Sequence, residues 1–243
     1  MFEKAKPTDQ WGGYFLDYPA MYEKAEELRA QYRGGSPYPH IVLDDFLPEW
    51  LLERVIDEFP SPEKGLQRRD NSFYIDGKPI QHNKVGIQDD RHYSAMLRHF
   101  IWELNSWHFL QFLEKLTGVP KLLADPMYRG GGLHQTKPGG MLQIHADFNK
   151  HPIYGLDRRL NLLIYLNKDW QPDWGGELEM WTKDMKTCEK KVLPIAGRCV
   201  IFNTTSDSWH GHPTPVACPE GNTRKSLALY YYTNGRPAEE DHP

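Results

Sequence analysis

Residues 143–149 read QIHADFN, which places His145 and Asp147 two apart in a run that alternates like a strand. Side chains at i and i+2 of a strand leave the same face. An imidazole nitrogen and a carboxylate oxygen so placed can hold one cation together, provided that face lines a cavity. The same two residues equally describe an ordinary strand end, with a hydrogen-bonded histidine and a turn-capping aspartate, so the pair gains meaning only from a third ligand. The stretch SDSWHGHPTPV, residues 206–216, offers two candidates, His210 and His212. Two histidines and one carboxylate on one face of an octahedron leave three positions open. That suits non-haem Fe(II), which must take a chelating co-substrate and O2 together. Zinc accepts the same donors, so the ligands alone leave a zinc-dependent hydrolase open.

A second pair lies in TRKSLALYYYT, residues 223–233. Arg224 and Ser226 share a strand face, and a planar guanidinium beside a hydroxyl fits a carboxylate met end-on. Taken alone, the pair reads as a surface arginine opening a strand.

These residues need elements to position them. AMYEKAEELRAQY (20–32) carries helix formers with apolar residues at helical spacing. HIVLDDFL (40–47) reads as a short strand, and PEWLLERVIDEF (48–59) as an amphipathic helix with proline in its first turn. Residues 60–90 are polar and rich in turn formers, and are expected to form an irregular loop with one strand near Ser72–Ile75. The most helical part is 90–117, with Met96, Leu97, Phe100, Ile101 and Leu104 on a stripe that Phe109, Phe112, Leu113 and Leu116 continue. After Pro120 come seven or eight short β-rich runs separated by Gly, Pro, Asn and Asp, the spacing of a sandwich or barrel. Helices first and strands second make an α+β chain. The expected organisation is one domain over 1–243: a mainly helical layer and loop (1–120), a β core (121–236) and a frayed polar tail (237–243).

Composition narrows the function classes. The 243 residues are 39% hydrophobic with eight Trp, enough for a sizeable core. A net charge of −4 without a basic run disfavours nucleic acid as the partner. Three cysteines without a CxxC spacing read as reduced thiols. No signal peptide stands at MFEKAKPTDQ, and no segment approaches the about 20 apolar residues of a membrane helix. A soluble cytoplasmic protein is expected.

Taken in order, HxD, a strand pair, a further histidine and R-x-S on the last strand resemble the Fe(II)/2-oxoglutarate-dependent dioxygenases, most closely their prolyl-hydroxylase-like branch. YLNKDW (165–170) followed by GGEL (175–178), VIFNTTSDSWH (200–210) and TRKSLALYYYT carry the resemblance over roughly residues 125–235. It implies a double-stranded β-helix, a cupin-like jelly-roll with N-terminal helices packed on one sheet. It implies Fe(II) held by His145, Asp147 and, from the spacing after Phe202, His210 rather than His212. It implies that Arg224 and Ser226 bind the distal carboxylate of 2-oxoglutarate. Tyr165 falls on the family's tyrosine position and Asn161 on the same face four residues earlier; Gln135 falls where a polar co-substrate contact is common. His212, Gln143 and Trp209 flank the ligands as substrate-contact or supporting positions. The implied reaction hydroxylates an unactivated C–H bond while O2 and 2-oxoglutarate become succinate and CO2, with ascorbate as an external reductant. The carboxylate at Asp147 favours hydroxylation over halogenation, which uses a small residue there. The substrate is a prolyl residue of a protein or peptide, or a free amino acid or other small metabolite. Recognition is expected from 61–90, with Arg68, Arg69, Tyr74 and Lys84, and from the long interval 148–157, one of which would close over the site. The rival to an enzyme is a non-catalytic cupin-like module, which would not bind 2-oxoglutarate. His82, His92, His99 and His108 are taken as surface or core residues.

Overall fold

The computed structural model describes residues 13–61, 73–75, 78–237 and 240. Helix α1 (Tyr18–Arg33) starts where the Asp17 carboxylate accepts the Ala20 N–H at 3.2 Å, with Pro19 in the first turn. Strand β1 (His40–Leu43) and helix α2 (Glu49–Asp57) follow as expected. The 90–117 stretch is broken: a 3-10 turn at Asp90–His92 precedes α3 (Ala95–Leu104) and α4 (Trp107–Thr117). Ser106 causes the break, its hydroxyl accepting the Phe109 N–H and starting a new helix where apolar periodicity alone would continue the old one.

The expected loop over 60–90 is corrected more deeply. Phe73–Ile75 forms β2, and Lys78–Ile87 forms a ten-residue strand, β3. Its polar composition hides it, because Gln81, Lys84 and Gly86 line polar cavities and, among its described side chains, only Val85 and Ile87 are buried. Arg68 and Arg69 lie outside the described residues. The remaining strands are β4 (Leu123–Ala124), β5 (Gly132–His145), β6 (Asp157–Tyr165), β7 (Leu178–Trp181), β8 (Cys188–Val192), β9 (Cys199–Asn203), β10 (His210–His212) and β11 (Arg224–Thr233).

All pairings are antiparallel, in the order β1-β9-β6-β11-β5-β10-β7-β8, with β3 also on β5. β5 turns the sheet upon itself. Its first half, 132–136, pairs with β11 and its end pairs with β10, with Pro138 and Gly139 (φ 75°) between them. The result is the double-stranded β-helix. The N-terminal part is not only a helical layer, since β1 and β3 are strands of the same sheet.

Alternation along the strands divides the core in two. Leu160, Leu162 and Ile164 of β6, Cys199 and Ile201 of β9, and Leu227, Leu229 and Tyr231 of β11 join the helices in one buried cluster. The alternate residues Leu163, Tyr165, Val200 and Phe202 turn inward and pack with Leu178, Met180 and Val192. Strands covered on both faces read as continuous apolar runs, as RLNLLIYL does. The C-terminal segment makes contacts at Arg236 and Glu240. The Arg236 side chain is buried and donates to the Arg158 carbonyl at 2.6 Å, and Glu240 pairs with Arg159 at 2.7 Å.

Candidate active site

His145 ends β5 and His210 begins β10, and the two are direct cross-strand partners. Such partners approach closely on one face, and the two rings lie with centroids 4.7 Å apart. Asp147 follows two residues beyond His145. Its Oδ1 is 3.6 Å from His145 Nε2 and its Oδ2 is 3.4 Å from His210 Nε2. One donor atom from each of the three residues falls within 4.8 Å of the others. Ligand atoms about 2.1 Å from a cation stand about 3 Å apart at right angles, close to these separations.

The imidazoles are set for ligation. His145 Nδ1 faces the Gln143 carbonyl at 2.8 Å and His210 Nδ1 faces the Ser208 carbonyl at 2.9 Å. A carbonyl only accepts, so each Nδ1 carries the proton and each Nε2 keeps its lone pair toward Asp147. Burial pushes the His210 ring down to about 4, neutral at ordinary pH. Burial also works against the Asp147 charge, but the Arg158 guanidinium outweighs it, with help from His210 and His145, and the carboxyl stands well below the usual range.

Arg158 is the residue the sequence does not announce. Its Nη2 donates to Asp147 Oδ2 at 2.9 Å, and its Nε and Nη2 donate to Asn161 Oδ1 at 3.0 and 2.7 Å. Asn161 Nδ2 donates to the same Asp147 oxygen at 2.6 Å. The guanidinium carbon lies 3.4 Å from the centroid of the Tyr230 ring, which holds the fork in place. By strict alternation Arg158 would face the helices with Leu160. A bulge corrects this: Tyr231 pairs with Leu160 and Tyr232 with Arg158, so Arg159 is skipped and Arg158 turns inward. Asn161 is therefore in the site as expected, but it grips Asp147.

These residues line a cavity of about 220 Å³ that also contains Arg224, Ser226, His134, His212 and Lys84. Arg224 is buried; its Nε donates to the Gly176 carbonyl at 2.5 Å and its Nη2 to the Tyr165 hydroxyl at 3.3 Å. Gly176 has φ 71°, and a Cβ there would come within 2.9 Å of Arg224 Cδ, so the GGEL turn needs its glycine. Tyr165 is fully buried behind Arg224 and does not line the cavity. His212 does line it, with neither ring nitrogen hydrogen-bonded, but lies outside the three-residue cluster because register slips between His210 and His212.

Gln135 is not brought into the site. Ser226 pairs with His134 and Lys225 with Gln135, so alternation sends Gln135 to the opposite face. There it donates to the Pro60 carbonyl at 2.8 Å and accepts from Thr223 at 3.0 Å. His134 holds the inward position one residue earlier. The side chains of Gln143 and Trp209 also lie outside the cavity lining; Trp209 Nε1 donates to the Lys183 carbonyl. Phe148, at the start of the 148–157 interval, reaches the cavity wall. A larger cavity, about 920 Å³, lies between residues 117–121 and the C-terminal segment, away from the cluster.

Residues 131–232 match the family model described as the 2OG-Fe(II) oxygenase superfamily, and this stretch holds every ligand candidate. This segment resembles that superfamily. The oxygenase fold is shared with a prolyl-4-hydroxylase of Pseudomonas putida (18% identity, 86% of this chain and 98% of that one, TM-score 0.54). It is shared with a prolyl hydroxylase of Trichoplax adhaerens solved with a peptide of the hypoxia inducible factor oxygen degradation domain (16%, 88% and 91%, TM-score 0.57). A prolyl 4-hydroxylase of Phytophthora capsici is also similar (20%, 96% and 68%, TM-score 0.56). Among curated proteins, an SPX domain-containing membrane protein of Arabidopsis thaliana matches over 41 residues at 39% identity, 17% of this chain and 6% of that protein. So short a match carries no functional argument.

Proposed function

We propose that the protein is an Fe(II)- and 2-oxoglutarate-dependent oxygenase that hydroxylates an unactivated C–H bond while 2-oxoglutarate is converted to succinate and CO2. The observation that carries this reading is the placement of the His145–Asp147–His210 cluster and the Arg224–Ser226 pair in one small cavity of a 2OG-Fe(II) oxygenase fold. The cluster fits a ferrous ion through two lone-pair nitrogens and one ionised oxygen on a single side. When bound, the iron and 2-oxoglutarate would activate O2, the oxidant, one oxygen atom going to the substrate and the other to succinate.

The chain supplies the geometry. Arg158 and Asn161 occupy one oxygen of Asp147, leaving Oδ1 as the free ligand and keeping the carboxylate from closing a second coordination position. Arg224, fixed by Gly176 and Tyr165, offers its remaining N–H groups and the Ser226 hydroxyl to the distal carboxylate. Phe148 and Tyr230 wall the cavity and limit water. The substrate is proposed to be a prolyl side chain in a peptide, as the shared fold suggests, or a free amino acid or small metabolite. Ascorbate would serve as external reductant. The three free cysteines are consistent with a reducing cytoplasm, and among the described residues no helix is long and apolar enough to cross a membrane.

The test is succinate formation from 2-oxoglutarate by purified protein with Fe(II), O2 and ascorbate. Slow substrate-free turnover is expected in the wild type, with at least a hundredfold loss in His145→Ala and Asp147→Ala. Equal succinate from the wild type and both variants would reject the reading.

A further inference from the structure

The cavity holds more positive charge than 2-oxoglutarate requires. Lys84 and Arg224 both line it, and they stand in one row across three strands: Lys84 opposite Thr136 on β5, and Thr136 opposite Arg224 on β11. Arg224 takes the distal carboxylate under the proposed reading. Asp147 is the one carboxylate among the described lining residues, and Arg158 already holds it. Among the described residues Lys84 makes no ion pair; the one acidic group that acts on it, Asp147, is the carboxylate Arg158 holds. Burial, and then the nearby Arg224 charge, push its ammonium down to about 8, against the opposing pull of the Asp147 carboxylate.

Lys84 is also where the cavity opens into a second space. A groove of about 580 Å³ shares Lys84, His134 and Phe148 with it and runs on past Arg129 and Lys150. No acidic side chain lines that groove among the described residues. Arg129 is exposed, and Lys150, 60% exposed, reaches Asp157 at 3.3 Å. In a chain of net charge −4 this is a local inversion of sign, which concentrates anions at the mouth.

We infer that the primary substrate carries a carboxylate, which seats on Lys84 where groove and cavity meet, with the rest of the molecule lying along Arg129 and Lys150. The inference rests on the oxygenase reading and names the substrate class for that site. An acidic side chain of a peptide and a free amino or carboxylic acid share this chemistry.

The test uses the full chain loaded with Mn(II) in place of Fe(II) and with 2-oxoglutarate. Pools of eight-residue peptides, each with one proline, are offered in acidic, amide-matched neutral and basic versions, and retained peptides are read by mass spectrometry. Glutamate and N-acetylglutamate are titrated directly and as competitors. Retention of the acidic pool at least tenfold above its amide match, or saturable binding of a small acid, is expected, and either should be lost in Lys84→Met. Peptide retention that small acids do not displace points to a peptide; direct small-acid binding without peptide retention points to a metabolite. No preference for any carboxylate over its amide, or a preference that survives Lys84→Met, overturns the inference. So does a tenfold loss of 2-oxoglutarate affinity in Lys84→Met, because Lys84 would then grip the co-substrate. Absence of 2-oxoglutarate binding by the wild type would strike the oxygenase reading itself, while the Lys84-dependent preference for acids is still read separately.

Discussion

Arg158 braces the proposed metal site from one contact behind its candidate ligands. It is buried, it donates to Asp147 and Asn161, and it lies on the Tyr230 ring. Removing such a supporting partner costs about 10–100-fold in metal affinity. Arg158→Met should therefore weaken Fe(II) or Mn(II) binding by about that factor, read by metal titration, and Asn161→Ala should weaken it less because one donor to Asp147 remains. Unchanged affinity in Arg158→Met would mean that Asp147 is not the ligand Arg158 orients. The protonation of His210 gives a second expectation. Its ring is held down to about 4 by burial, against an ordinary value of 6.5. Between those values the unfolded chain takes up a proton that the folded chain refuses. The metal-free protein should thus keep this contribution above pH 6.5 and lose roughly 3 kcal/mol of it as pH falls toward 4. Urea midpoints at pH 7 and pH 4.5 measure the loss, which His210→Gln should reduce. At this scale the sequence shows His145, Asp147, His210, Arg224 and Ser226 through spacing and order. It hides Arg158 behind a bulge that reverses side-chain parity, and misplaces Gln135 by one residue for want of the β5–β11 register.

Among the elements, the helices are the most legible, because apolar spacing marks them in the sequence, although that spacing passes over the Ser106 cap that divides 90–117. β3 is the least legible, since a strand facing a polar cavity has no apolar alternation to read. The segment before α1 is tied down by one buried carboxylate. Glu103 of α3 accepts the Phe15 and Leu16 N–H groups at 2.7 and 2.9 Å and the Tyr18 hydroxyl at 3.2 Å. Burial raises its pKa despite those bonds. Glu103→Ala leaves two backbone donors unpaired, at about 1–3 kcal/mol each. A destabilisation of about 3 kcal/mol is expected in urea unfolding, with little change in metal affinity, because α3 packs on the outer face of the sheet. A destabilisation below about 1 kcal/mol would mean that water replaces the carboxylate there.

For the molecule as a whole, one fold places the proposed metal-ligating end and the proposed carboxylate-binding end on the inward face of the same bent sheet. The jelly-roll follows from the alternating runs after Pro120, and its closure follows from β5 pairing with β11 by one half and with β10 by the other. The sequence cannot show that closure, because it depends on partners 65 to 96 residues away, from His145–His210 at the near end to Gly132–Ala228 at the far end of the pairing. The most direct measurement adds Fe(II) and then 2-oxoglutarate to the metal-free protein in the absence of oxygen and records the visible spectrum. If both ends of the cavity act together, a weak charge-transfer band appears, vanishes in Asp147→Ala and His210→Ala, and needs far more 2-oxoglutarate in Arg224→Ala. If iron binds and no band forms with the wild type, the site does not hold 2-oxoglutarate on the metal, and a zinc enzyme or a silent jelly-roll module describes the protein better.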